Sequence, residues 1–311
     1  MIRSNQIKRR SLGTYKAFRN PKKMKASVMK RMVLGISSRN YEDAVESVIK
    51  GYGIKKSSIS RHFVQATAEQ MREFLEQNLS GLDFVAIFID GIEFKGNLLV
   101  VSLGLDIKAC AGALARGHGE HRGLQDAPLG HGQAGAGHDA GLFFVLDGSK
   151  ALRSAVAKAF GSDVLIQRCQ VHKRRNVGEQ LPPEHQGTIG ARLRAAYNMA
   201  DYDKVKASLE LTGKYLEKLN PSAAASLREW LEETLTVHKL GVIGLLKKTL
   251  SSTTNPIESC FSVIRTITGR VKRWRGGNMV QGWAVAALLR AERKFRRVQG
   301  YREIPKLIAA L

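Results

Sequence analysis

The chain has 311 residues, 43% of them apolar, enough to bury a substantial core divided over two or three units. Fifty Lys and Arg against 27 Asp and Glu give a formal charge of +23, a field that favours a polyanionic partner. No apolar stretch approaches the roughly 20 residues that cross a bilayer, and the three cysteines, Cys110, Cys169 and Cys260, lie too far apart in sequence to suggest a disulfide framework. These features argue against a membrane protein and a disulfide-stapled scaffold. They predict a cytoplasmic, nucleoid-associated protein that binds nucleic acid.

The positive charge is concentrated at the two ends. Residues 1–41 carry twelve Lys or Arg and no acid, and residues 265–302 carry eleven against the single acid Glu292. Between Asn40 and Leu79 the pattern predicts two helices. Asn40 can cap the first, which runs to Ile49, and Gly51 and Gly53 break it. The second begins near Lys55 and continues past Met71. Two helices across a short glycine turn form a helix-turn-helix, and Lys55, Lys56, Ser57, Ser60, Arg61 and His62 place small and basic side chains where a major groove would be read. A plain helical hairpin in a core has the same outline. The charge at the helix start favours the DNA reading.

Beyond residue 80 apolar runs take over. Phe84–Ile89 ends in Asp90, and Leu142–Leu146 ends in Asp147; both runs predict buried strands that deliver a carboxylate at their ends. Gly96-Asn97 turns the first strand into a second, Leu98–Leu105, and Val164–Ile166 predicts a further strand. An Asp after a strand is also an ordinary turn former or helix cap. Asp147 suits that reading, since Gly148-Ser149 and a helical pattern follow. With Glu258, however, two strand-borne acids can form an oxygen cage for divalent ions. From Gly190 to Leu250 the spacing is helical throughout, with Leu227, Trp230, Leu231 and Leu235 as its expected core, and Pro256 onward is again helical.

One segment departs from its surroundings. Ala109–Gly141 holds nine Gly and eight Ala among 33 residues, with four of the eight histidines and no Val, Ile, Thr or aromatic residue. Its composition predicts no strand and weakens any helix. The histidines lack metal-ligand spacing, so a stretch read out of frame between two compensating indels is the simpler account.

Four signatures occur in order: Phe88-Ile89-Asp90-Gly91-Ile92-Glu93-Phe94-Lys95, Val145-Leu146-Asp147-Gly148-Ser149-Lys150-Ala151-Leu152, Gln167-Arg168-Cys169-Gln170-Val171-His172-Lys173-Arg174-Arg175-Asn176 and Thr253-Thr254-Asn255-Pro256-Ile257-Glu258-Ser259. Their order and spacing resemble the Mutator-type bacterial insertion-sequence transposases over about residues 35–107 and 142–305. The resemblance implies an α/β fold: an RNase H-like mixed sheet with an all-helical insertion, preceded by the helix-turn-helix region. The expected division is 1–80 for the basic arm and DNA-binding helices, 81–177 for the first part of the core, 178–250 for the insertion and 251–311 for the second part.

It further implies that Asp90, Asp147 and Glu258 form an acid triad holding Mg²⁺ or Mn²⁺ for DNA cleavage and strand transfer. The expected partner is double-stranded DNA, both terminal inverted repeats and target, bound by a homo-oligomer. Arg168, His172, Lys173, Arg174 and Arg175 would hold the backbone beside the acids, with Arg265, Arg270, Lys272 and Arg273 extending the basic face. Asn255 and Pro256 would shape the turn that opens the helix of Glu258. Cys169 and His172 supply two ligands where a structural zinc site takes four, so a DNA-contacting or purely structural role is expected of them. The alternative to an active enzyme is a catalytically inactive DNA-binding remnant.

Overall fold

The structure is a computed structural model that describes residues 56–76, 83–94, 96–108, 111–113, 118–119, 141–251, 256–271, 273–274 and 277–311, together with the isolated positions 30 and 33. The first helix of the expected helix-turn-helix, Lys55, Lys272 and Asn255 lie outside these residues, as do the side chains of Lys56, Ser57 and Pro256.

A mixed sheet forms the centre. Strand β1 (Phe84–Phe94) pairs antiparallel with β2 (Asn97–Asp106) through a tight turn at Gly96, whose φ of 73° favours a residue without a Cβ. On its other side β1 runs parallel to β5 (Phe143–Leu146), and β5 runs parallel to β6 (Leu165–Arg168). Two short strands, β3 (Ala111–Ala113) and β4 (His118–Gly119), pair antiparallel with β2. They correct the expectation that the Gly/Ala/His segment forms no strand. The open edge of β2 supplies ladder partners to any backbone, so side-chain propensity did not decide the outcome.

Alternation along β1 and β5 sends side chains to two cores. Ala86, Phe88, Phe143 and Val145 enter one, shared with the helices that follow residue 256, while Ile87, Ile89, Phe144 and Leu146 enter the other beneath α2 (Lys150–Phe160). Such fully buried phenylalanines each contribute about 1.5–3 kcal/mol through removal from water. The long helix α1 (Lys56–Leu75) joins the first core by an apolar stripe of Phe63, Ala66 and Phe74, with Phe63 against Trp283 at 4.4 Å between ring centroids.

From residue 170 to 250 every regular element is helical: α3 (Gln170–Glu179), α4 (Pro183–Asn198), α5 (Tyr202–Leu219), α6 (Pro221–Arg228), a 3₁₀ turn at Glu232–Thr234, α7 (Thr236–Lys239) and α8 (Gly244–Leu250). Val177, Leu193, Leu209, Leu216 and Leu227 close a third core there. Leu227 and Leu235 are buried as expected, but Trp230 is not at its centre. Its backbone is left-handed (φ 51°), and its half-buried ring lies under the Arg168 guanidinium at 3.6 Å. The chain returns to the sheet through α9 (Pro256–Thr268), which packs on β1 and β2, then α10 (Gly277–Glu292), which packs on α1, and α11 (Ile304–Ala310).

Candidate active site

The two aspartates are brought together by strand register. Ile89 of β1 pairs with Leu146 of β5, the last parallel pair, and Asp90 and Asp147 are the next residues on each strand. β1 itself runs four residues past Asp90, still paired to β2. Asp90 therefore sits within a strand, not at its end as its sequence position suggested, but at the limit of the parallel ladder. It is 4% exposed, and its Oδ1 accepts from the Gly91 N–H at 2.8 Å.

Asp147 leaves the strand and turns the chain. Its Oδ1 accepts from the Ser149 N–H at 2.7 Å, and Ser149 in turn caps α2 by accepting from Leu152 N–H at 3.3 Å. The capping role belongs to Ser149, which leaves the second oxygen of Asp147 for other work. Burial raises the proton affinity of Asp147, opposed by the Ser149 N–H, by His172 and Arg168, and by a hydrogen bond with Asp90. Gly148 lies close against α3: a Cβ there would stand 2.9 Å from the Asn176 amide nitrogen, so that side chain would have to move aside.

Cys169 follows β6 and precedes α3; its N–H donates to Leu146 O at 2.8 Å and its side chain is 1% exposed. His172, in the first turn of α3, is pushed up to about 9. Its hydrogen bond with Cys169 is the largest cause, burial opposes it, and Asp90 and Asp147 add to it. Two acids and one imidazole thus share a single electrostatic neighbourhood at the end of the sheet.

Glu258 lies in the first turn of α9, where a carboxylate also favours the helix dipole. Pro256 opens that helix at a position where its missing N–H costs nothing. Ile257, Cys260 and Ile264 anchor α9 in the core under β1, on the face toward which the alternation of Phe88 and Asp90 points. The two aspartates are in contact; among the described residues, no three His, Cys, Asp or Glu side chains stand close enough to hold one metal ion.

Two basic residues of the third signature have structural roles that sequence did not reveal. Arg168 is 3% exposed; its Nε donates to Glu233 Oε2 at 2.8 Å and one terminal nitrogen to Gly148 O at 3.0 Å. Lys173 is 6% exposed, and its Nζ donates to Ser226 O and Glu229 O, each at 2.6 Å. Both were expected to hold the DNA backbone; in the structure Arg168 ties the sheet to the helical unit, and Lys173 ties α3 to the end of α6. Arg174 is half-buried and Arg175 exposed. Ser60, Arg61, Arg265, Arg270 and Arg273 are exposed, and His62 is half-buried.

Sequence reading missed the latch that completes this attachment. Glu233 bridges Arg153 and Arg168 with one oxygen each, at 2.7 and 2.8 Å. Buried Gln167 on β6 donates to Thr234 O at 2.8 Å and accepts from Val237 N–H at 2.9 Å. Thr236 Oγ1 donates to Ile166 O at 2.6 Å. The only signal in the sequence was a polar Gln-Arg pair at the end of an apolar strand.

Comparison with known proteins places the chain in a family. The family model described as "Transposase, Mutator family" matches residues 9–121 and 135–279, most of the chain, and reaches into both ends of the Gly/Ala/His segment. The chain is similar to the transposase for insertion sequence element IS6120 of Mycolicibacterium smegmatis, 28% identical over 261 residues, 81% of this chain and 78% of that protein. It is also similar to the transposase for IST2 of Acidithiobacillus ferrooxidans, 26% identical over 220 residues, 70% of this chain and 68% of that protein. The transposase for IS256 in transposon Tn4001 of Staphylococcus aureus is 24% identical over 244 residues, with 57% of its length covered. On this match, and with its signature residues placed as described, the chain belongs to the Mutator family of transposases.

Proposed function

We propose that the protein is a DNA transposase that cuts DNA at the ends of an insertion sequence and joins them to a target, using Asp90, Asp147 and Glu258. The observation that carries this reading is the contact between Asp90 and Asp147 at the end of the parallel ladder. Two carboxylates in one buried neighbourhood repel unless a proton or a cation lies between them. The hard oxygen donors of Asp90 and Asp147 suit Mg²⁺ or Mn²⁺ and would hold the ion, with Glu258 taken as the third acid from the family resemblance. When bound, a pair of such ions activates the attacking oxygen and stabilises the leaving one in an in-line displacement.

The protein's own part is placement. β1 and β5 fix the two aspartates, the Gly91 and Ser149 N–H groups each hold one carboxylate oxygen, and α9 carries Glu258 on the covered face. The sheet supports an RNase H-like reading through its sense: antiparallel at β2 and parallel at β5 and β6, with acids on the central pair. The formal charge of +23 supports DNA as the partner. Residues 122–134 fall outside the family match, consistent with the out-of-frame reading of that stretch. The test is co-expression with a marked mini-element carrying the terminal sequences that flank this gene. Excision by the native chain and none by Asp147→Asn is expected; equal excision by both would remove Asp147 from the chemistry.

A further inference from the structure

We infer that Trp230 is a positioning residue for Asp147: its ring holds the Arg168 guanidinium in plane, and Arg168 holds the bend at Asp147-Gly148-Ser149. This inference rests on the reading of the acids as a DNA-cutting centre and adds to that centre a residue of the helical unit. Among the described residues, Trp230 is the one non-glycine residue with a left-handed backbone (φ 51°). That region crowds a Cβ, so the fold keeps a disfavoured conformation where this ring is placed.

The ring meets cations from both sides of the bend. Arg168, at the end of β6, stacks on it at 3.6 Å from the ring centroid. Lys150 and Arg153, near the start of α2, lie 5.6 and 5.9 Å from it. Glu229, the neighbour of Trp230, bonds Lys150 at 2.9 Å. Arg168 is the link to the acid. One terminal nitrogen donates to the Gly148 carbonyl at 3.0 Å, and Nε donates to Glu233 at 2.8 Å. The other terminal nitrogen is buried with no hydrogen-bond partner among the described residues. Two hydrogen bonds thus fix the edge of the guanidinium, and the Trp230 face fixes its plane. Gly148 directly follows Asp147, and the Ser149 N–H that orients the Asp147 carboxylate comes next. A tilt of the guanidinium therefore shifts the bend that aims this carboxylate, and a shift of about 1 Å at a reacting centre can cost about a hundredfold in rate.

The test combines hydrogen–deuterium exchange of the full chain, without DNA or metal, with single-turnover cleavage of an end-bearing duplex in Mg²⁺. Trp230→Gly suits the left-handed backbone but removes the ring. Trp230→Leu keeps apolar bulk without an aromatic face, and Trp230→Phe keeps a face. Exchange in the peptide covering residues 147–152 should quicken about tenfold in the Gly and Leu variants, with the β1 peptide at its native rate. Their cleavage rate at saturating DNA should fall about tenfold, with half-saturation by DNA unchanged. Trp230→Phe should stay within about twofold of native in both measurements. Native exchange over residues 147–152 in Trp230→Gly, or a Leu variant that matches Phe in both measurements, would overturn the inference. If Trp230→Gly exchanges fast throughout the chain, the comparison of Leu with Phe decides. Exchange is read without cleavage, so a native chain that fails to cut would strike the reading of the centre, while the exchange result still decides whether Trp230 holds the bend.

Discussion

Asp90 and Asp147 stand side by side because Ile89 and Leu146 are the last partners of the parallel ladder between β1 and β5. A one-residue slip of β5 would turn Asp147 to the opposite face, beneath α2. The apolar runs before each acid thus act as a ruler: Phe144 and Leu146 must fill one core and Phe143 and Val145 the other, and this fixes where Asp147 falls.

The ion pairs around Glu233 hold the helical unit to the sheet. Glu233→Gln should leave the buried Arg168 charge uncompensated and cost about 3 kcal/mol of stability. Differential scanning calorimetry should show a lower Tm for Glu233→Gln than for the native chain. A Tm within a degree of native would show that the Arg168 stack on Trp230 suffices without the carboxylate.

Lys173 separates support from DNA contact. Lys173→Met should remove the donor to two part-buried carbonyls, Ser226 O and Glu229 O, at about 0.5–1.5 kcal/mol each, and leave the salt dependence of DNA binding unchanged. A flatter salt slope for Lys173→Met at native stability would return this residue to the DNA interface.

Exposed Ser60 and Arg61 lie near the start of α1, whose opposite face is fixed in the core by Phe63 and Phe74. A helix held in this way can present Arg61 to a groove. Arg61→Ala should reduce the preference for terminal-repeat DNA over random DNA, whereas Arg273→Glu should weaken binding to both alike. Competition binding with the two duplexes measures this; equal losses at Arg61 would place it on the backbone only.

His238 gives the helical unit an acid limit. It is 4% exposed, its Nε2 lies 3.3 Å from Tyr197 O, and burial, with the Lys247 charge, lowers it to about 4 from an ordinary 6.5. The unfolded chain therefore takes up the proton first. Stability is full above about pH 6.5 and is lost as pH falls toward 4, by up to about 3 kcal/mol. Urea titrations at pH 7 and pH 4.5 should show this drop in the native chain and a smaller one in His238→Gln. The same drop in both would assign it to other groups.

The strands, the hairpin at Gly96 and the helices from 190 to 250 were legible because hydrophobic period and turn residues act locally. The roles of Arg168 and Lys173 were not. A basic run in sequence reads as surface, yet one guanidinium is buried against Glu233 and Trp230, more than 60 residues away. Trp230 misled for the same reason: its apolar neighbours suggested a core, but its left-handed backbone turns the ring toward the cations of β6 and α2. In the Gly/Ala/His segment the short strands β3 and β4 arose from an open edge, which composition does not encode. Translating the two alternative frames across codons 109–141 should yield strand and helix patterns in one of them; their absence from both would show an inserted segment instead.

The central claim is that the two adjacent aspartates and Glu258 form one divalent-dependent cutting centre. The most direct measurement is single-turnover cleavage of a labelled duplex carrying the element's end, with Mg²⁺, by the purified native chain and by Asp90→Asn, Asp147→Asn and Glu258→Gln. The account predicts cleavage by the native chain alone, lost on adding EDTA, with DNA binding by all three variants within a few-fold of native. Cleavage by any variant at close to the native rate, or native cleavage that persists in EDTA, would contradict it.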